Sequence, residues 1–278
     1  SAEVKSPSEV SIAGGHQCTG NKTAENVLNS CAVPATRKNP TPANEEFYAY
    51  DAGLGVKWPA NKFVCVPGAP MKFLPVRPLK PAIKMAELFS GTARLSASFA
   101  CLGVEAWAWD ILYGPGGDLT SGRVLKDLKE RIRKKEFTVV TFALQCSSWS
   151  RARKNDGKGP PPLRDDEEFL FGLPNLSEKD QKKVDDANQM LDTMLQVLEI
   201  CLQAGAMVLF ENPRNSRLWK VPKLQELVKK YIGTPVYVDF CQYGTPWRKP
   251  TTFMAWNIDT HEWDYDLGSV VRTCGHSN

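Results

Sequence analysis

From residue 83 onward, short apolar runs alternate with longer amphipathic stretches. Four of these runs have the length and composition of buried strands: residues 83–89, 105–110, 138–144 and 206–211. Strands that alternate with helices specify a parallel sheet covered by helices. The pattern therefore predicts an α/β domain that begins near residue 81.

Amphipathic spacing predicts the helices that connect these strands. The first helix carries Leu95, Phe99 and Leu102 on one face and stops at Gly103, which suits the position after a helix end. The second follows Ser121, a candidate N-cap, and turns an apolar stripe inward: Val124, Leu125, Leu128 and Ile132. Later helices are predicted at about 182–203 and from residue 222 to before residue 233.

Two further strands close the pattern, at residues 236–241 and 251–257. The connection between them, Tyr243-Gly244-Thr245-Pro246, is short and rich in turn formers. We expect these two strands to form an antiparallel pair at one edge of the sheet.

Residues 1–80 differ from the rest of the chain. They are rich in proline, alanine, asparagine and serine and show no sustained period, which predicts an irregular N-terminal extension. Its aromatic residues, among them Trp58 and Phe63, are too many for a purely solvated linker. We expect the extension to wrap the domain of residues 81–278 or to bind a protein partner.

Residues 146–176 interrupt the alternation of strands and helices. They contain Gly157, Gly159 and three consecutive prolines, which cannot lie inside a regular element. Loops of this length are usually functional, and we interpret this one as a lid.

Composition narrows the class of protein. The chain has 278 residues, of which 42% are hydrophobic, and its net charge of +4 suits an anionic partner. Its eight scattered cysteines include no C-x-x-C and accompany three histidines, so neither a zinc site nor a dense disulfide framework is indicated. We expect reduced, intracellular thiols, although Cys18, Cys31 and Cys65 could pair in an oxidising environment. No apolar run is long enough to span a membrane and the first residues lack a signal core, so a soluble protein without membrane insertion is predicted.

Small residues follow the first predicted strand. Ser90, Gly91 and Thr92 form a turn into a helix N-terminus, which would let a ligand approach the backbone. A plain tight turn is the alternative. The glycine fingerprint of dinucleotide-binding proteins does not occur, because Ala93 and Ser96 stand where its glycines would be.

Acidic residues follow the second predicted strand. Asp110 stands where a carboxylate could grip a ribose diol, and Asp118 could accept a hydrogen bond from an adenine amino group. Either residue could equally be a turn or cap aspartate. Together, beside a small-residue turn, they favour a nucleoside-containing cofactor.

A thiol and a carboxyl group follow the third and fourth predicted strands. Cys146 is placed as a nucleophile, although a lone cysteine is more often a small buried hydrophobe. No histidine lies nearby in the sequence to act as its base, so a reaction through this thiol must activate its electrophile instead. Glu211 follows an apolar run and precedes a proline, where burial would favour a proton-donating form.

The segment before the last predicted strand is basic and aromatic. Trp247, Arg248 and Lys249 follow a turn and are suited to contact with a phosphate or a base. A solvated hairpin is the alternative.

Taken in the order in which they occur along the chain, these motifs resemble those of the DNA cytosine-5 methyltransferase family. The resemblance covers about residues 83–257 and is carried by the segments 87–99, 110–111, 118–119, 146–150, 211–213 and 243–251. The chain is most similar to compact members that lack a long target-recognition region and have Glu-Asn-Pro instead of Glu-Asn-Val. This resemblance implies a Rossmann-like class I S-adenosylmethionine-dependent methyltransferase fold, mostly parallel, with helices on both faces and one antiparallel strand near an edge.

The resemblance also implies a role for each strand end. Cys146 would add to C6 of cytosine, Glu211 would protonate N3, and Lys249 takes the place of an arginine that holds the flipped nucleotide. The cofactor S-adenosyl-L-methionine would lie on residues of the first strand ends: Phe89, Ser90, Gly91, Thr92, Asp110, Ile111 and Asp118. The implied activity is DNA methylation at a cytosine taken out of the base stack.

Several positions depart from the family pattern. Gln145 stands where the family has a proline, Ala93 replaces a glycine, and the Arg-x-Arg of the family is reduced to Lys249-x-Thr251. These departures keep open a second hypothesis, in which a catalytically inactive methyltransferase fold serves as a structural or nucleic-acid-binding subunit of a larger assembly. RNA is a third possibility as the substrate, because no motif distinguishes it from DNA.

Overall fold

Nine strands form one mixed sheet in the computed structural model of the chain, which describes residues 46–47, 61–64, 69–75, 77–155, 157, 159–243, 247–258 and 273–274. These residues belong to the unit that spans Pro40–Asn278. In chain order the strands are β1 (Glu46–Phe47), β2 (Asn61–Val64), β3 (Met71–Leu74), β4 (Lys84–Leu88), β5 (Glu105–Trp109), β6 (Val139–Ala143), β7 (Met207–Pro213), β8 (Thr234–Asp239) and β9 (Pro250–Trp256). Their order across the sheet is β1-β2-β3-β5-β4-β6-β7-β9-β8.

Four described helices cover the sheet, and the Ser121 side chain, a candidate N-cap, makes no capping hydrogen bond. They are α1 (Arg94–Cys101), α2 (Gly122–Arg133), α3 (Glu178–Ala204) and α4 (Pro222–Lys230). The Ser177 side chain accepts a hydrogen bond from the Asp180 N–H at the start of α3, and Gly205 ends α3 in the left-handed conformation. None of the described helices combines the length and the apolar character needed to cross a membrane.

The centre of the sheet is parallel. β5, β4, β6 and β7 run in one direction, and β8 points the same way because it is antiparallel to β9, which is itself antiparallel to β7. The predicted α/β fold with a mostly parallel sheet is confirmed, and so is the antiparallel pairing of the last two strands. The reversed strand β9 lies one position in from the edge, and β3 is a second reversed strand, on the other side of β5.

Side chains of the sheet bury two hydrophobic clusters on opposite faces. The larger cluster joins α2, α3 and α4 to a row of residues in cross-strand register: Ala86, Trp107, Val140, Val208 and Trp256. The smaller cluster joins α1 to Met85, Ala106 and Ala108. Helices therefore cover both faces of the sheet.

The buried face of α1 differs from the predicted one. Leu95 and Leu102 are 39% and 67% exposed, whereas Ser96, Ala97 and Ala100 are buried. α1 packs against alanines of β5, and this close approach leaves room only for small side chains. The apolar spacing that puts Leu95 and Leu102 on one face with Phe99 therefore does not mark the packed face of this helix.

Strand β3 lies within the segment predicted to be an irregular extension. It pairs with β5, and its residues Met71 and Phe73 are buried in the smaller cluster. This part of the segment therefore belongs to the sheet. Residues 1–45 and 48–60, with Trp58 and the cysteines Cys18 and Cys31, lie outside the described residues, as does Cys65.

The long loop predicted after β6 is present and is partly packed. Between β6 and α3 the described residues form neither helix nor strand. Leu163, Arg164 and Leu170 in this loop are nevertheless buried. The second half of the loop is therefore part of the folded domain rather than a free flap.

Candidate active site

The candidate site lies at the carboxyl edge of the parallel strands. The chain places β5 on one side of β4 and β6 on the other, and this reversal opens a crevice where α/β proteins bind ligands. Phe89, Asp110 and Gln145 follow β4, β5 and β6, and Glu211 lies near the end of β7. All four residues are thus at one edge of the sheet, as the sequence predicts.

The loop between β4 and α1 has an unusual backbone. Phe89, Gly91 and Ala93 all have positive φ angles, of 56°, 54° and 50°. Such angles are uncommon for non-glycine residues, and they occur most often at active sites and ligand-binding sites. A Cβ added at Gly91 would meet no heavy atom within 4 Å, so there is open space beside this glycine.

Asp110 connects this loop to the end of β5. Its Oδ2 accepts a hydrogen bond from the Gly91 N–H at 2.9 Å, and its Oδ1 accepts one from the Leu112 N–H at 3.0 Å. The Tyr113 hydroxyl donates to the Gly91 carbonyl at 2.6 Å. Each carboxylate oxygen has a second lone pair, so these contacts leave Asp110 able to accept from a ligand as well. Ile111, next to it, is 66% exposed.

Asp118 lies close to Asp110 because Gly117 packs on the Asp110 backbone. A Cβ at Gly117 would overlap the carbonyl oxygen of Asp110, so only glycine fits there. Asp118 Oδ1 accepts hydrogen bonds from the N–H and the hydroxyl of Thr120, at 2.9 and 2.6 Å. These contacts are those of a turn aspartate, and adenine binding by Asp118 stays a prediction. Gly117 was not predicted as a site residue; its signal in the sequence is a second consecutive glycine.

Glu87 anchors α1 beneath the same loop. The side chain is 5% exposed, and its Oε2 accepts hydrogen bonds from the N–H and the hydroxyl of Ser96, at 2.7 and 2.5 Å. Removal from water raises the pKa of Glu87 from 4.5 to about 7, with the bonds from Ser96 acting in the opposite direction. The sequence analysis assigned no role to this carboxyl group.

The structure brings Cys146, Glu211 and Lys249 together. Glu211 lies beside Ala143 in the register of β6 and β7, three residues before the thiol. β9 runs in reverse, so its start lies at the end of β7, and Lys249 Nζ is 3.1 Å from Glu211 Oε1. Burial raises the pKa of the Cys146 thiol, while the charge of Lys249 lowers it and that of Glu211 raises it. The thiol is therefore close enough to Lys249 and Glu211 for both of their charges to change its pKa.

Asn212 holds the ends of β6 and β7 together. It is fully buried, and its Nδ2 donates a hydrogen bond to the Leu144 carbonyl at 3.0 Å. Leu144 is two residues before Cys146. Asn212 belongs to the motif of residues 211–213, but this contact was not predicted from the sequence.

A cluster of cations follows the thiol on the rim of the site. Asp166 Oδ1 is 2.9 Å from Arg151 Nη2, 3.3 Å from Arg217 Nε and 4.0 Å from Lys220 Nζ. Arg217 also donates a hydrogen bond to the Ser150 carbonyl at 3.2 Å. One carboxylate therefore shares three positive charges next to the loop that carries Cys146.

A second group of cations lies at the ends of β7 and β8. Asp239 Oδ1 is 3.5 Å from Arg214 Nη2 and 3.6 Å from Arg248 Nε. With Lys249 on Glu211 and the cluster around Asp166, six cations face three carboxylates on this rim. Within these ion pairs the cations outnumber the carboxylates, an arrangement that suits contact with phosphate groups.

Two further features lie beside this rim. The thiols of Cys241 and Cys274 are 3.2 Å apart, although the sequence indicated scattered cysteines. An apolar groove between α4 and the β8–β9 pair, lined by Trp219, Tyr237 and Met254, opens on the face of the sheet. We place the chemistry at the carboxyl edge and not in this groove, because the titratable groups converge at the edge.

No protein-family model matches the chain, and no curated protein is similar to it.

Proposed function

We propose that the chain is an S-adenosylmethionine-dependent methyltransferase that acts on C5 of cytosine in DNA. The observation that carries this proposal is the meeting of Cys146, Glu211 and Lys249 at the ends of β6 and β7. Support also comes from the position of the Phe89–Ala93 loop on the neighbouring strand β4. The reversed strand β9, one in from the edge, agrees with the methyltransferase fold that the resemblance implies.

The residues at the ends of β4 and β5 fit the proposed cofactor. The open space at Gly91 and the backbone of Ser90 and Thr92 would receive its methionine end. Asp110 would accept hydrogen bonds from the ribose hydroxyls, and Ile111 and Asp118 would lie near the adenine. When bound, S-adenosylmethionine supplies an electrophilic methyl group.

The order of the strands puts the two reactants side by side. The cofactor residues follow β4 and β5, and the residues that would act on the base follow β6 and β7. β4 and β6 are hydrogen-bonded neighbours, so the two halves of the site share one crevice. Methyl donor and acceptor can then meet without a large movement of the sheet.

Cys146 and Glu211 would make the cytosine ring reactive at C5. The thiol proton passes to solvent, the thiolate forms a bond from Sγ to C6, and Glu211 delivers its own proton to N3, so that the negative charge of the thiolate is not left on the ring. C5 thereby becomes the nucleophile that accepts the methyl group. The C5–H electron pair then restores the C5–C6 double bond, the C5 proton passes to solvent, the thiolate leaves and N3 returns its proton to Glu211. Lys249 favours the thiolate and holds the carboxyl group in place.

The charge of the rim supports a nucleic-acid substrate. In the ion pairs of the rim six cations share three carboxylates, and phosphate contacts position a duplex on its protein. A cytosine inside a duplex cannot reach Cys146, so the base must be flipped out of the stack. We choose DNA because the motifs resemble the DNA methyltransferases, and RNA is tested beside it.

Covalent trapping tests this function directly. Wild-type protein with S-adenosylmethionine and DNA that contains 5-fluorocytosine should give a stable adduct in denaturing electrophoresis, because fluorine cannot leave C5 as a proton does. The adduct should disappear in Cys146→Ser and slow by several orders of magnitude in Glu211→Gln. Cys101→Ser is the matched control, since Cys101 is a partly exposed thiol at the far end of α1 and should leave the trapping rate unchanged.

The second candidate is the catalytically inactive fold. It is favoured by the burial that raises the Cys146 pKa and by the backbone N–H groups that Asp110 already binds. Calorimetric titration with S-adenosylmethionine separates the two candidates without a substrate. Cofactor binding without an adduct on DNA or RNA, single- or double-stranded, would reject the enzyme, and an adduct on RNA alone would reject DNA.

A further inference from the structure

A buried arginine lies against the loop that carries the thiol. The Arg164 side chain is fully buried, and its Cζ is 3.6 Å from the ring centre of Trp149, which is also fully buried. Arg164 lies in the long loop after β6, fourteen residues beyond Ser150. Arginines are seldom removed completely from water unless a specific set of partners holds them.

The guanidinium group ties three parts of the chain together. Nη2 donates hydrogen bonds to the Ser148 hydroxyl at 3.1 Å and to the Val184 carbonyl at 3.3 Å. Nη1 donates to the Asn188 Oδ1 at 2.8 Å and to the Leu170 carbonyl at 3.1 Å. The thiol loop, the later part of the long loop and α3 are thus joined through one side chain.

Among the described residues no carboxylate forms an ion pair with Arg164 within 4.0 Å, although the charge of Asp185 in α3 favours its cationic form. Burial lowers the pKa of Arg164 to about 10, so it is still a cation at neutral pH. A buried cation without an ion-pair partner costs stability that an apolar residue would not. A role in packing alone does not account for the choice of arginine.

The hydrogen bonds of Arg164 act on residues that lie one turn away from the thiol. The Trp149 N–H donates to the Cys146 carbonyl at 3.0 Å, and the Arg217 N–H donates to the Trp149 carbonyl at 3.0 Å. On the other side of the thiol, Asn212 holds the Leu144 carbonyl. The loop from Leu144 to Trp149 is therefore fixed at both ends.

We propose that Arg164 is a positioning residue that fixes Cys146 by clamping Ser148 and Trp149. The clamp supplies the rigidity that the family obtains from a proline before the cysteine, where this chain has Gln145. As a role in catalysis, this inference rests on the proposed function. The placement of the thiol beside Lys249 does not, and it can be measured without substrate.

The first experiment measures how strongly Lys249 acts on the thiol. The pH dependence of Cys146 alkylation by iodoacetamide, followed by peptide mass spectrometry, gives the thiol pKa. In a protein that keeps Arg164, Lys249→Met should raise that pKa, because a nearby cation is removed. In Arg164→Lys the same change should have less than half this effect, because a loosened thiol is no longer held beside the ammonium group.

The second experiment measures trapping on 5-fluorocytosine DNA. Arg164→Lys should slow trapping at saturating DNA by about 10- to 100-fold, the cost of a misplacement of about 1 Å. The DNA concentration for half-maximal rate should stay within about threefold, since Arg164 is buried away from the substrate. Arg153→Lys is the matched control, because this arginine bonds the Pro161 carbonyl in the same loop, and it should change neither readout.

Ser148→Ala decides the question if Arg164→Lys fails to fold. It removes only the hydroxyl that Arg164 binds, and it should reduce the Lys249 effect and the trapping rate in the same direction. Folded variants with wild-type thiol coupling and wild-type trapping would overturn the proposal, and so would a lower melting temperature alone. If the variants reduce the effect of Lys249 on the Cys146 pKa but the wild type never forms an adduct with DNA or RNA, the positioning role stands and the proposed function is rejected.

Discussion

Changing the buried Glu87 to glutamine should make the protein more stable at alkaline pH and should do so by an amount that depends on pH. The carboxyl group lies under the Phe89–Ala93 loop, 5% exposed, and accepts two hydrogen bonds from Ser96. Glutamine keeps an oxygen that can accept both bonds. It removes the negative charge that burial opposes.

The magnitude follows from the pKa of Glu87. The folded protein raises this pKa from 4.5 to about 7, so the folded state holds a proton that the unfolded state has already lost. Stability therefore falls as the pH rises through this window and stays low above it. A shift of one pKa unit corresponds to about 1.4 kcal/mol, so the full loss is about 3–4 kcal/mol.

Urea unfolding of wild type and Glu87→Gln, followed by circular dichroism, measures this difference. The advantage of the variant should grow by about 2–3 kcal/mol between about pH 5 and about pH 8. Glu226→Gln, on the exposed surface of α4, is the control for loss of one carboxylate and should change stability by less than about 0.5 kcal/mol at every pH. A Glu87→Gln advantage that is the same across this range would refute the argument from burial.

Three further predictions concern the cofactor side, the thiol and the N-terminal strand. Asp110→Ala should weaken S-adenosylmethionine binding in calorimetry by about 1.5–3 kcal/mol, the cost of lost charge-assisted bonds, and unchanged affinity would reject the ribose contact. Lys249→Met should raise the Cys146 pKa and slow its alkylation at neutral pH, since the ammonium favours the thiolate. An unchanged pH profile of alkylation would show that Lys249 does not act on the thiol. A chain that begins at Pro81 should lose about 3–6 kcal/mol or become insoluble, because it lacks buried Met71 and Phe73, and a wild-type melting temperature would show β3 to be dispensable.

Local features of the candidate site were predictable from the sequence. Cys146 and Glu211 could be assigned to strand ends because Glu211 directly follows an apolar run and Cys146 follows one after a single residue, and a parallel sheet collects such ends at one edge. Asp110 and Gly91 could be paired in the same way, and the structure joins them by a hydrogen bond. The backbone angles of Phe89 and Ala93 were not predictable, since neither residue type favours a positive φ.

The sequence by itself determined the alternation of strands and helices, because period and turn chemistry are properties of consecutive residues. It did not determine that β3 adds to β5, that α1 packs through its alanines, or that Arg164 is buried against Trp149. Those contacts join residues far apart in the chain, and they depend on strand order and on the distance between layers. The tertiary structure alone decided them, because the same side chains would be exposed wherever the strand order left them without a neighbour.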